Sequence, residues 1–163
     1  MTAIPIAQEN NGENVTADYV GRPMLVVGVD GSPPSWDAFA WAAGEARRGN
    51  GQIVAVFATS LIEPEEAFGT TAPLGYAVAK EARDQMAEQL AAEVARRADT
   101  LGVEVSFVRG TGDAARVLAD VACSENADLI IVGRSAKKLH RLAGSVGRRL
   151  VLNRHSPVLV VVP

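Results

Sequence analysis

Two short runs of this chain hold residues whose types and spacing could do chemistry. The first is Val29-Asp30-Gly31-Ser32-Pro33, directly after an apolar stretch. A carboxylate there can accept hydrogen bonds from an adenine or ribose edge, or it can satisfy the N–H groups of its own turn. Ser32 or Ser35 can cap a following helix. The second run extends from Gly133 to Val162. There Leu129-Ile130-Ile131-Val132 meets Gly133, a basic loop follows, and Gly144-Ser145-Val146 opens a helix before a final apolar stretch. Strand, glycine loop and helix N-terminus together form an anion cradle, because the first N–H groups of a helix lack partners and its dipole adds positive potential. The glycine lets a phosphate approach the backbone, and the Ser hydroxyl and successive N–H groups can bind its oxygens. The same Gly-Ser pair also reads as an ordinary capped helix start. Charge is concentrated here. From Gly133 to Pro163 the chain carries seven Lys or Arg, both histidines and no Asp or Glu, while the remainder carries nine basic and 19 acidic residues. The formal net charge of −3 conceals a cationic end.

Several chemistries lack their residues. No Gly-x4-Gly-Lys-[Ser/Thr] phosphate loop occurs, which argues against a Walker-type NTPase. Gly133-Arg134-Ser135-Ala136 begins like a nucleophile elbow, but Lys137 stands where glycine is required. His140 and His155 have no Cys or carboxylate at metal-ligand spacing. No Gly-x-Gly-x-x-Gly follows the first strand, and the basic tract lacks aromatic residues for base stacking.

The elements that must position these runs alternate. Strands are predicted at Met24 to Val29, Ile53 to Ala58, Val103 to Val108, Leu129 to Val132 and Val158 to Val162. Between them lie helices at Ser35 to Arg48, about Leu74 to Leu101, Asp113 to Ser124 and Ser145 to about Asn153. In the first helix Trp36, Phe39, Ala40, Ala43 and Ala46 share a face, and Gly49 follows the basic last turn. In the third, Val117, Leu118 and Val121 point inward. Residues 59 to 73 form an unusually long loop with two prolines. Apolar strands alternating with helices predict an α/β fold, a doubly wound open parallel sheet with helices on both faces. Ligands in such folds sit beyond the carboxyl ends of the strands, where the winding reverses.

A chain of 163 residues with 48% hydrophobic and 21% charged residues reads as one domain, residues 21–163, behind a flexible polar tail at 1–20. One cysteine, Cys123, excludes an internal disulfide and is expected as a small buried residue in its helix. No apolar run reaches the length of a membrane span, and the N-terminus lacks the features of a signal peptide. The expected location is cytoplasmic.

In their order, these pieces resemble the universal stress protein family over residues 22 to 163. Val-Val-Gly-Val-Asp-Gly-Ser-Pro-Pro-Ser with Trp41-Ala42-Ala43 is similar to the family's opening. Ala127-Asp128-Leu129-Ile130-Ile131-Val132-Gly133 is similar to its fourth strand, and Gly144-Ser145-Val146 with Ser156-Pro157-Val158-Leu159-Val160-Val161 to its close. The resemblance implies a five-stranded adenine-nucleotide alpha-hydrolase-like sheet in the order 3-2-1-4-5. It also implies frequent dimers through the last strand, here Val158, Leu159, Val160, Val161 and Val162. Many members bind ATP through Gly-x2-Gly-x9-Gly-[Ser/Thr]. On that pattern Gly133 matches the first glycine, Gly144 the last and Ser145 the hydroxyl. Asp30 matches a base-proximal aspartate, Ala58 a position that meets adenine through its backbone, and Gly112 the glycine after the third strand. Two departures stand out: Ala136 replaces the second glycine, and seven residues rather than nine precede Gly144.

The expected function is that of a stress-response regulator binding an adenine nucleotide, ATP first, with Mg²⁺ as a possible companion. Asp30 and Ala58 would take the base and ribose side; Gly133, Gly144, Ser145 and Val146 would hold the phosphates, Arg134 and Lys137 would screen their charge, and Gly112 would be a further nucleotide-binding position. The alternative is a dimeric interaction module of the same fold without nucleotide. Neither reading makes the chain an enzyme, slow ATP hydrolysis aside, and neither calls for a membrane or nucleic acid.

Overall fold

The computed structural model describes residues 21–59, 72–134, 145–152 and 157–163. Within them, strand β1 (Met24–Gly28), helix α1 (Pro33–Gly49), strand β2 (Gln52–Thr59), helix α2 (Ala72–Leu101), strand β3 (Glu104–Thr111), helix α3 (Ala114–Ser124), strand β4 (Leu129–Gly133), helix α4 (Ser145–Leu152) and strand β5 (Val158–Val162) follow in order. Of the long predicted loop, Thr59 belongs to β2 and Ala72 and Pro73 to α2; residues 60–71, and residues 135–144 of the basic loop, fall outside the described residues. The five strands are all parallel and ordered β3-β2-β1-β4-β5. The winding therefore reverses between β1 and β4.

Strand periodicity divides the core in two. Leu25, Val27, Ile53, Ala55, Phe57 and Ile131 face α1 and α2, where Ala38, Phe39, Ala42, Leu90 and Val94 cover them. Val26, Val54, Val56, Ile130 and Val132 face α3 and α4, under Leu118, Val121, Ala122 and Leu150. Burial of each large aliphatic or aromatic side chain contributes roughly 1.5–3 kcal/mol. The central strands are buried on both faces, as their unbroken apolar sequence predicts. The edge strand β3 alternates instead, exposing Glu104, Ser106, Arg109 and Thr111.

Three local expectations change. In α1 the buried stripe is Ser35, Ala38, Phe39, Ala42, Ala43 and Ala46, so Ala40 points to solvent. The helix runs through Gly49, and the left-handed residue that ends it is Asn50, at φ 51°; asparagine is one of the few side-chain-bearing residues that tolerate this conformation. Cys123 is exposed. It lies one residue past Ala122 on a helix whose buried stripe is Ala115, Leu118, Ala119, Val121 and Ala122, and a single step of about 100° carries it off that stripe.

Candidate functional site

The carboxyl ends of β1, β2, β3 and β4 lie along one edge of the sheet. β1 leaves it first. Val29 still donates its N–H to the Val56 carbonyl at 2.9 Å, and then Asp30 turns away into α1. The turn is closed from within. Ser32 N–H donates to Asp30 Oδ1 at 2.9 Å, the Asp30 N–H donates to Ser35 Oγ at 3.3 Å, and Ser35 Oγ donates to the Ser32 carbonyl at 2.8 Å. Ser32 is the N-cap, its hydroxyl accepting from the Ser35 N–H, as one of the two sequence-derived candidates. Desolvation by burial pushes the Asp30 carboxyl up. Hydrogen bonds from the Ser32 hydroxyl and amide and from Ser35 outweigh it, leaving Asp30 below its ordinary value. Asp30 is thus a charged acceptor held at the crevice mouth.

Ala58 stands on the neighbouring strand, and its backbone direction follows from strand periodicity. Val56 turns its carbonyl toward β1, where Val29 binds it, whereas Thr59 turns its carbonyl toward β3, where the Gly112 N–H meets it at 2.8 Å. Groups two residues apart share a direction, so the N–H and C=O of Ala58 point to the β1 side. Since β1 ends at Gly28, that edge opens into the space Asp30 borders.

Gly133 closes the other side of the reversal point. A Cβ there would lie 2.1 Å from the Pro34 carbonyl oxygen, so only glycine lets the first turn of α1 pack on the end of β4. This brings the Asp30 turn against Gly133. Arg134 is exposed, but its N–H donates to the Val162 carbonyl at 2.8 Å; only its side chain faces outward for a ligand. Gly112 adopts φ +128°, and its N–H serves Thr59. It shapes the bend before α3 and offers no free amide.

Ser145 and Val146 form the first turn of α4, whose leading N–H groups have no partner within the helix. Val146 is half-buried against the α3 side of the core. Lys137 and Gly144 lie outside the described residues. Among the ion pairs that sequence reasoning missed, one lies here: Arg149 of α4 pairs with Asp113, the N-cap of α3. No local pattern marks it, because 36 residues separate the partners and only packing of α3 on α4 brings them together.

Two shallow clefts of about 440 and 400 Å³, one lined by Gln52, Glu125 and Asp128 and the other by Arg47, Asn50 and Glu104, open at the opposite edge. Helix C-termini end there, so the dipoles disfavour anions. Among the described residues no three His, Cys, Asp or Glu converge as a metal site, and no helix is long and apolar enough to cross a membrane.

Comparison with known proteins gives the family and the fold. The profile of the Universal stress protein family matches residues 24–162. A universal stress protein of Methanocaldococcus jannaschii is 28% identical over 93% of this chain and 85% of its own. One of Mycobacterium tuberculosis is 35% identical over 96% of this chain but only 50% of its own, so the chain spans about half of that relative. Among solved structures, a Lactobacillus plantarum universal stress protein superposes with a TM-score of 0.70 at 22% identity, over 88% of this chain and 99% of the other. A universal stress protein in complex with cAMP gives 0.65 at 22%, over 88% and 98%. An Arabidopsis thaliana member with AMP bound gives 0.61 at 17%, over 86% and 90%.

Proposed function

The chain belongs to the universal stress protein family, and from that premise we propose that it is a stress-response protein binding an adenine nucleotide, ATP foremost, at the β1/β4 reversal point. One observation carries the reading. The Ala58 backbone presents a donor and an acceptor side by side toward the gap left where β1 ends, and the edge of adenine offers a complementary acceptor and donor. The charged Asp30 at the mouth is placed for the ribose hydroxyls. The N–H groups of Ser145 and Val146, with the Gly144 approach, take phosphate oxygens, and the Arg134 and Lys137 side chains offset their charge. Solved relatives of the same fold carry AMP or cAMP, which supports the adenine class; Mg²⁺ would accompany the phosphates of ATP. The chemistry supplied is binding rather than turnover, in a cytoplasmic setting.

A second reading has an observation of its own. The Arg134 and Gly112 amides are bonded within the fold, Ala136 replaces a glycine, and the loop is short. These features suit a dimeric interaction module that keeps the fold without nucleotide. In either case two copies would associate through β5.

Native mass spectrometry of the purified protein, followed by calorimetry with millimolar ATP and Mg²⁺, separates the two. We expect co-purified adenine nucleotide, or binding heat that weakens as salt rises. No bound nucleotide and no heat would overturn the nucleotide reading in favour of the interaction module.

A further inference from the structure

We propose that Arg149 is a phosphate-sensing cation of this site, with Asp113 as its resting counter-ion; this rests on the nucleotide reading above. Arg149 stands four residues after Ser145 in α4, about 6 Å along the helix axis and on nearly the same face. Helical side chains lean toward the N-terminus, so the Arg149 stem runs back toward the first turn of α4, whose leading N–H groups have no partner within the helix. A cation at a helix N-terminus opposes the dipole unless an anion accompanies it. Asp113 supplies that anion. Its Oδ1 accepts the Arg116 N–H at 3.2 Å and caps α3, while its Oδ2 meets Arg149.

Among the described residues this is the one ion pair joining α4 to another element. Both side chains are well exposed, at 62% and 44%, so the pair contributes little to stability and exchanges readily. The buried face of α4, through Gly147 and Leu150, holds the helix whether or not the pair is made. A phosphate arriving at the Ser145 turn meets a guanidinium that can form two parallel hydrogen bonds to it. It competes with a single carboxylate that also repels it. Arg149 therefore leaves Asp113 for the phosphate, and the site favours phosphate-bearing nucleotides over adenosine.

The test measures adenosine and ATP affinity by calorimetry in the wild type, Arg149→Gln and Asp113→Asn. Asparagine remains a good N-cap, so α3 keeps its start. Arg149→Gln should weaken ATP about tenfold, as expected for a lost charge-assisted hydrogen bond, and leave adenosine unchanged. Asp113→Asn should tighten ATP about threefold, the scale of an exposed ion pair, again without effect on adenosine. A parallel NMR titration with sodium tripolyphosphate follows the Arg149 Nε–H signal, which should shift in the wild type and at lower concentration in Asp113→Asn. Unchanged ATP affinity in Arg149→Gln, equal losses for adenosine and ATP, or a signal that ignores tripolyphosphate would each overturn the proposal. If the wild type binds no adenine compound but its Arg149 signal shifts as expected, the nucleotide reading fails and the phosphate exchange stands.

Discussion

Glycine at position 133 has two readings, and residue-scale geometry separates them. Sequence alone reads it as the opening of a phosphate loop; the fold gives it a packing duty that exists without any ligand. Its missing Cβ makes room for backbone, with the Pro34 carbonyl carbon 2.3 Å and the carbonyl oxygen 2.1 Å from where that atom would be. Backbone yields less than a side-chain tip, so Gly133→Ala should destabilise the ligand-free protein by about 3 kcal/mol, at the upper end of overpacking costs. Urea unfolding without nucleotide reads this directly, and an unchanged midpoint would remove the packing explanation. Residue types were legible at this scale. Asp30, Ser32 and Gly133 could be picked out because each follows an apolar strand. Which of their groups remain open to a ligand was not legible: the Arg134 and Gly112 amides are bonded by Val162 and Thr59, and those partners lie on other strands.

At the scale of elements, the apolar periodicity located all nine strands and helices of the described residues, because unbroken Val/Ile/Leu runs have no soluble alternative to a sheet interior. It misjudged rotation within them. Ala40 and Cys123 carry no charge to force them outward, and alanine or cysteine is tolerated on either side of a helix. The surface of α2 was also silent, since ion pairs at helical spacing need a geometry that sequence only permits. There Glu93 accepts from Arg96 and Arg97, at 2.9 Å for one Arg96 bond and 2.6 Å for another. Arg97 also lies 4.3 Å over the Trp36 ring of α1. The hydrogen bond from Arg96 first, then that from Arg97, lowers the Glu93 carboxyl from 4.5 to about 2. A carboxyl depressed in the folded state adds stability that is fully present above its unfolded value and lost as pH falls through the folded one. The contribution should hold above pH 4.5 and fade toward pH 2. NMR titration of the Glu93 carboxyl carbon should find its midpoint near 2; an ordinary midpoint would mean that the arginines do not engage it in solution.

For the whole molecule, the unfinished feature is the β5 edge. On its inner side β5 pairs with β4 from Val158 to Val162; among the described residues no strand pairs with its outer side. Val158 is 65% exposed, and Val151 and Leu152 at the end of α4 are 69% and 71% exposed. An apolar edge of this length invites another strand, and two copies related by a two-fold axis would satisfy it antiparallel, edge to edge. The register says how to test this without harming the fold. The Val162 carbonyl faces inward, accepting from Arg134, so by the two-residue period Val158 and Val160 also face inward, while Leu159 and Val161 turn their N–H and C=O outward. Proline at an outward position removes one donor from the free edge and none from the β4 ladder. Light scattering at micromolar concentration should therefore find a dimer for the wild type and a monomer for Val161→Pro, with the circular dichroism of the folded chain retained in both. A wild-type monomer, or a Val161→Pro dimer of undiminished affinity, would place any self-association somewhere other than β5.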